Sequence, residues 1–205
     1  MKSTGRTATL PALLCLALGG ALAFAAPAAA EWQAIEKIET YPVSGATGAE
    51  LYASIGEHGP KLGIARTIAH TSFRLTWKRD YQTRGTDCVL ASAVPTLVIT
   101  TVLPKPSGTL PEPLRRSWQT FVDGVAAHER VHGEHIKAMV KEIEKATIGL
   151  AEPDDPQCRR IREKMQPVLG EISRAERQKQ RDFDKVEFAD GGTVQRLVLA
   201  LVNGP

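Results

Sequence analysis

The feature that most constrains this chain is a change of hydrophobic period across a proline-rich connection. Before it, apolar residues recur at every second position. After it, they recur at three- and four-residue steps. Ala69 to Lys78 alternates Phe73, Leu75 and Trp77 with Ser72, Arg74 and Thr76, the pattern of a half-buried strand. Val89 to Val94 and Thr96 to Leu103 are two further strand segments, the second rich in β-branched residues, and Glu36 to Val43 is another. Thr47 caps a short helix over Gly48 to Glu57, with Leu51 and Ile55 four residues apart, and His58-Gly59-Pro60 ends it. Pro104, Pro106, Pro111 and Pro113 then mark a loop. From Leu114 to about Leu150, Trp118, Phe121, Val122, Val125, Ile136, Met139, Val140 and Ile143 form one helical stripe. Glu152 to Pro156 is a turn. A second stripe follows, carried by Ile161, Met165, Val168, Leu169, Ile172, Ala175 and Phe183, with a kink expected at Pro167. Gly191-Gly192 ends it before the apolar tail Leu197 to Val202. The expected fold class is α+β: a small antiparallel β-sheet with one short helix, followed by two long helices.

The N-terminus has a different character. Lys2 and Arg6 precede the apolar run Leu10 to Phe24, and Ala28-Ala29-Ala30 supplies small residues at a junction. That is the layout of a Sec-type signal peptide over 1–30, cleaved near Ala30, and it predicts a periplasmic or secreted protein with no stable membrane insertion afterwards. Residues 31–205 are then one domain, long enough for a real core. Of the 26 lysines and arginines, two lie in this leader, which holds no acidic residue. The rest of the chain is therefore near neutral, and no nucleic-acid partner is expected. Cys88 and Cys158 remain as a pair, and export to an oxidising compartment predicts a disulfide between them.

Within the first helical stripe stands His128-Glu129-Arg130-Val131-His132. On a helix, His128 and His132 lie about 40° apart around the axis and one turn apart along it. Two imidazoles so placed can share one metal ion, and zinc accepts such ligands while leaving a position for water. Glu129 is offset about 60° from His132, beside the ion rather than on it. Zinc lowers the pKa of a bound water, and the carboxylate takes its proton as general base. The H-E-x-x-H spacing serves that chemistry. The competing reading is a pair of core histidines with a half-buried carboxylate. On a core-facing stripe such a group is costly without partners, and a metal removes the cost. The third ligand is left open. His135 extends the motif along the helix, but residues 128 and 135 are about 10 Å apart on a straight helix, so it requires distortion at Gly133. From the second helix and its end, Glu171, Glu176, Asp184, Glu187 and Asp190 all qualify on spacing.

These residues resemble the predicted secreted zinc-dependent proteases grouped as a domain of unknown function, family 922. The matching pieces run in order from Tyr41-Pro42-Val43-Ser44-Gly45 through Leu51 to Gly59-Pro60. Thr76-Trp77, Cys88, Leu103-Pro104 and Trp118-x-x-Phe121 lead on to the histidine motif. The family pattern continues with an aromatic-Asp pair and then His-Gly; here Phe183-Asp184 and Asp190-Gly191 occupy that region. The resemblance implies Asp190 as the third ligand, replacing the family's histidine, since a carboxylate oxygen also suits zinc. It further implies an extracytoplasmic zinc metalloendopeptidase with Glu129 as catalytic base, acting on a protein or peptide substrate. A non-catalytic zinc-binding or partner-binding envelope protein on the same scaffold is the alternative.

Overall fold

The computed structural model describes residues 32–204; the leader read at 1–30 lies outside the described residues. In chain order the elements are β1 (Ile35–Val43), α1 (Gly48–His58), β2 (Lys61–Leu62), β3 (Ala65–Arg66), β4 (His70–Arg84) and β5 (Asp87–Pro106). They continue with α2 (Glu112–Thr147), β6 (Ala151–Glu152), α3 (Arg160–Glu187) and α4 (Thr193–Val202). The fold is α+β. No helix among the described residues is long and apolar enough to cross a membrane.

The main sheet has the order β1-β5-β4, with β6 paired to the start of β5. β4 and β5 form a long antiparallel hairpin, turned at Gly85, whose φ is +66°. Its register shifts once, near Asp80 and Tyr81. β1 runs parallel to β5, from Ile35 opposite Val98 to Val43 opposite Pro106. The sheet is therefore mixed, where a wholly antiparallel one was expected. Strand alternation reports which face is buried and is silent on strand direction.

The two segments read on either side of Pro95 are one strand, and that strand runs on through Pro104 and Pro106 into the expected loop. Register explains the tolerance. Pro95 precedes Val98, where pairing with β1 begins. Pro104 and Pro106 follow Val102, where pairing with β4 ends. Each proline thus lies where β5 has a single neighbour, the place in a sheet where a missing N–H is accommodated.

α2 is about 54 Å long at 1.5 Å per residue, and Pro113 in its first turn occupies a site that needs no donor. Its stripe joins two clusters. Leu114, Trp118, Phe121 and Val125 pack with Val43, Leu51, Leu103 and Leu201. Ile136, Met139, Val140 and Ile143 pack with Leu97, Ile99 and Ile172. The motif lies on the helix between them. α3 is a single helix with Pro167 inside it, and Asp155 caps its start, accepting from the N–H groups of Arg159 and Ile161 at 2.9 and 3.0 Å. The apolar tail folds as α4. It comes close at Gly48, where a Cβ would stand 1.8 Å from the Leu201 carbonyl oxygen.

The Cys88–Cys158 disulfide is formed and ties β5 to the approach to α3 across 70 residues of sequence. Around it Leu90, Ala93, Ile161 and Met165 make a third cluster. A loop of that length implies a contribution of about 4 kcal/mol on the chain-entropy view. Reduction, or Cys88→Ser with Cys158→Ser, is expected to lower the melting temperature by on the order of 10 °C. Calorimetry with and without reductant checks this; an unchanged Tm would show that packing alone holds the α3 end.

Candidate metal centre

Halfway along α2 the apolar stripe is interrupted by three buried ionisable residues, His128, Glu129 and His132. They face α3. His132 meets Gln180, and His128, one turn earlier, meets Asp184 and Glu187. α3 therefore runs antiparallel to α2, and its buried face changes from Ile172 to Glu176, Gln180 and Asp184 at four-residue steps. Polar groups are thus presented where α2 is polar.

Three ligand-type atoms converge. The Nε2 atoms of His128 and His132 are 3.0 Å apart. Asp184 Oδ1 is 3.2 Å from the first and 2.9 Å from the second. This trio forms a group able to hold a metal ion. A tetrahedral ion with bonds of about 2.0–2.1 Å to nitrogen and oxygen sets its ligands about 3.3 Å apart, close to the edges of this triangle. Two orphaned atoms add to the fit: Glu129 Oε2 and His128 Nδ1 are buried without a hydrogen-bond partner. Glu187 Oε2 lies 3.6 Å from that Nδ1, within ion-pair range but beyond a hydrogen bond.

Orientation comes from α3. Phe183 stacks on the His128 ring at 4.7 Å and 16°, and meets the His132 ring edge-on at 5.3 Å. Gln180 Oε1 contacts His132 Nδ1, while Gln180 Nε2 donates to Glu176 Oε1 at 2.7 Å. With its NH₂ turned to a carboxylate, Gln180 presents its carbonyl to His132. Nδ1 must then carry the proton, which leaves Nε2 free to bind an ion. On the sheet side, Thr71 Oγ1 donates to the Glu129 carbonyl at 3.3 Å.

The electrostatics follow from this crowding. Burial works to raise the Asp184 carboxyl, but hydrogen bonds from His128 and His132 outweigh it and hold the group well below the usual carboxylate range. Burial works to lower His132, but the bonds to Asp184 and Gln180 prevail and raise it. Glu176 is pushed up by burial. His135 is lowered, by burial first and then by the charge of Lys179.

Of the residues expected from sequence, His128, Glu129 and His132 are together. The third member is Asp184, not Asp190: Asp190 is exposed in the turn beyond the end of α3, whereas Asp184 is on the last turn of the helix and shares the face of Gln180. His135 lies outside the trio, its ring 5.8 Å from Phe183. Gln180, the partner of His132, is absent from the residues expected from sequence, and Glu176, a ligand candidate on spacing, instead accepts from Gln180. The signal was available: polar residues continue the Ile172 stripe at helical spacing, on a face that must be buried.

A cavity of about 270 Å³ opens over the group and is lined by Glu129, both histidines, Gln180 and Asp184. A second, of about 220 Å³, lies between β1 and α2 and also reaches Glu129.

Fold and site together define an α+β protein with a two-histidine, one-carboxylate group in a cleft beside a buried carboxylate that has one unpartnered oxygen. The chain belongs to the family of bacterial proteins of unknown function DUF922, which matches residues 38–192. No curated protein and no solved structure matches the chain.

Two outcomes are expected. Gln180→Ala keeps the fold but weakens binding of a divalent transition-metal ion to the purified protein by about 10–100-fold, measured by competition with a chromophoric chelator; unaltered affinity would show that Gln180 does not orient His132. The second concerns pH. With its pKa raised, His132 contributes stability to the metal-free protein that is complete below its ordinary value near 6.5 and is lost as pH rises through the raised value. With its pKa depressed, Asp184 contributes stability that is present above about 3.8 and is lost as pH falls through the lowered value. An added ion replaces the His132 proton, so the metal-induced rise in Tm should grow as pH rises above the ordinary value of 6.5 and through the raised one. Melts with metal and with chelator across that range check the trend.

Proposed function

We propose that this protein is an exported zinc metallopeptidase in which His128, His132 and Asp184 hold the ion and Glu129 is the catalytic base. The observation that carries the reading is the Glu129 carboxylate: 5% exposed, one oxygen unpartnered, in the same cavity as a three-ligand group. A structural site would be closed by four protein ligands, whereas three ligands beside a cavity leave a position for solvent and substrate. Zinc suits two imidazoles and a carboxylate, and when bound it acts as a Lewis acid and makes a nearby water acidic.

The chain's own residues do the rest. Gln180 and Phe183 fix the histidine rings. Asp184 supplies a negative charge that balances part of the ion's. Glu129 Oε2, with no competing donor, takes the proton from the attacking water and returns it to the leaving nitrogen of the peptide. The buried position of Glu129 favours proton transfer, since no hydration shell has to be stripped from it. The disulfide suits an oxidising compartment, and the signal-like leader suits the periplasm or the exterior.

Zinc-loaded wild type and Glu129→Gln, assayed on a mixed peptide library, test the reading. The variant should retain its zinc and lose about 10²–10⁴ of the rate. Activity that survives the substitution would remove Glu129 from the mechanism. Bound zinc with no cleavage by either protein would favour a non-catalytic zinc-binding protein of the cell envelope.

A further inference from the structure

β4 carries an anomaly beside the site. By strand alternation Thr71, Phe73 and Leu75 share one face. Thr71 reaches Glu129 on α2, and Leu75 packs with the cluster of Ile136 and Val140. This is the face turned to the helices, yet Phe73 between them is 45% exposed. The helical layer leaves it uncovered. Beside the same opening stands Phe188, 48% exposed, its ring edge-on to His128 at 5.6 Å. Leu62 of the β2–β3 hairpin is 44% exposed. All three line the cavity that holds Glu129 and the ligand trio, and the buried Ile68, Val125 and Val194 line it too.

Scattered exposed apolar residues need no explanation, but apolar residues gathered around a concave polar centre mark a ligand pocket. We infer, resting on the peptidase reading, that this pocket takes a large apolar side chain of the substrate, next to the peptide bond that is cut. Its size supports one side chain with the reacting groups: about 270 Å³ is at the small end for ligand pockets. Charge supports the choice as well. A charged side chain of either sign would lose hydration against Phe73, Phe188 and Leu62, which line the cavity. Phe73 and Phe188 are thus specificity-determining residues, one supplied by the sheet and one by the end of α3.

The test uses zinc-loaded Glu129→Gln, which binds without turnover, and blocked hexapeptides that differ at one central position. By calorimetry, the Phe and Leu peptides should bind about 10–100-fold tighter than the Asp and Lys peptides. Phe73→Ala and Phe188→Ala, each added to that background, should reduce the preference about fivefold or more with zinc content unchanged, and Phe73→Leu should restore most of it. Equal or tighter binding of the Asp or Lys peptide, or no binding of any peptide at millimolar concentration, would overturn the inference. The two readings fail separately. Cleavage by wild type without side-chain preference sinks this inference and leaves the peptidase. Selective binding of the Phe peptide by a protein that cleaves nothing leaves the pocket and sinks the peptidase.

Discussion

Two imidazoles and a carboxylate are buried in the middle of an apolar helical stripe, and the rest of the structure answers to that placement. Such groups lose hydration on burial, and the loss must be offset by partners or by an ion. α3 provides the partners. Asp184 meets both histidines, Gln180 meets His132, and Phe183 stacks on His128. Glu129 Oε2 is buried without a hydrogen-bond partner, in the cavity that the trio also lines. A core built for stability alone would not leave it so.

Precision comes from what flanks the site. Apolar clusters lie on both sides of the motif along α2, one shared with α1 and α4 and the other with the middle of the sheet and α3. The trio of His128, His132 and Asp184 therefore sits on packed helices rather than on loops, which limits its drift. The disulfide anchors the distant end of α3, and Asp155 caps its start. From there the helix carries Gln180 and Asp184 to the histidines in a fixed register. The cleft itself results from incomplete cover: the helical layer stops short of Phe73, and the hairpin of β2 and β3 does not close the gap.

Much of this was legible in the sequence where period and chemistry agree. The stripe of α2, the short helix α1 after Thr47, the alternation of β4 and the pairing of Cys88 with Cys158 all follow from residue patterns. Other features were not legible, for identifiable reasons. Prolines in β5 read as breaks because a sequence does not say which positions have a strand on both sides. The direction of β1 was hidden because parallel and antiparallel strands alternate alike. α4 read as a tail because ten apolar-rich residues fit many structures until α1 and α2 offer a groove. Asp190 was favoured over Asp184 by the order of motif pieces along the chain, yet helix phase brings the latter inward.

The sequence by itself determined the pairing of His128 and His132 with the carboxylate between them, because their geometry is local: one helix sets all three within five residues. It also determined the class of fold, since hydrophobic period is a property of each segment. Only the tertiary structure decided the third member of the trio, the glutamine that orients His132, and the uncovered apolar wall at Phe73 and Phe188. Those depend on how α3 and β4 lie against α2, and that packing comes from contacts between residues far apart in the chain.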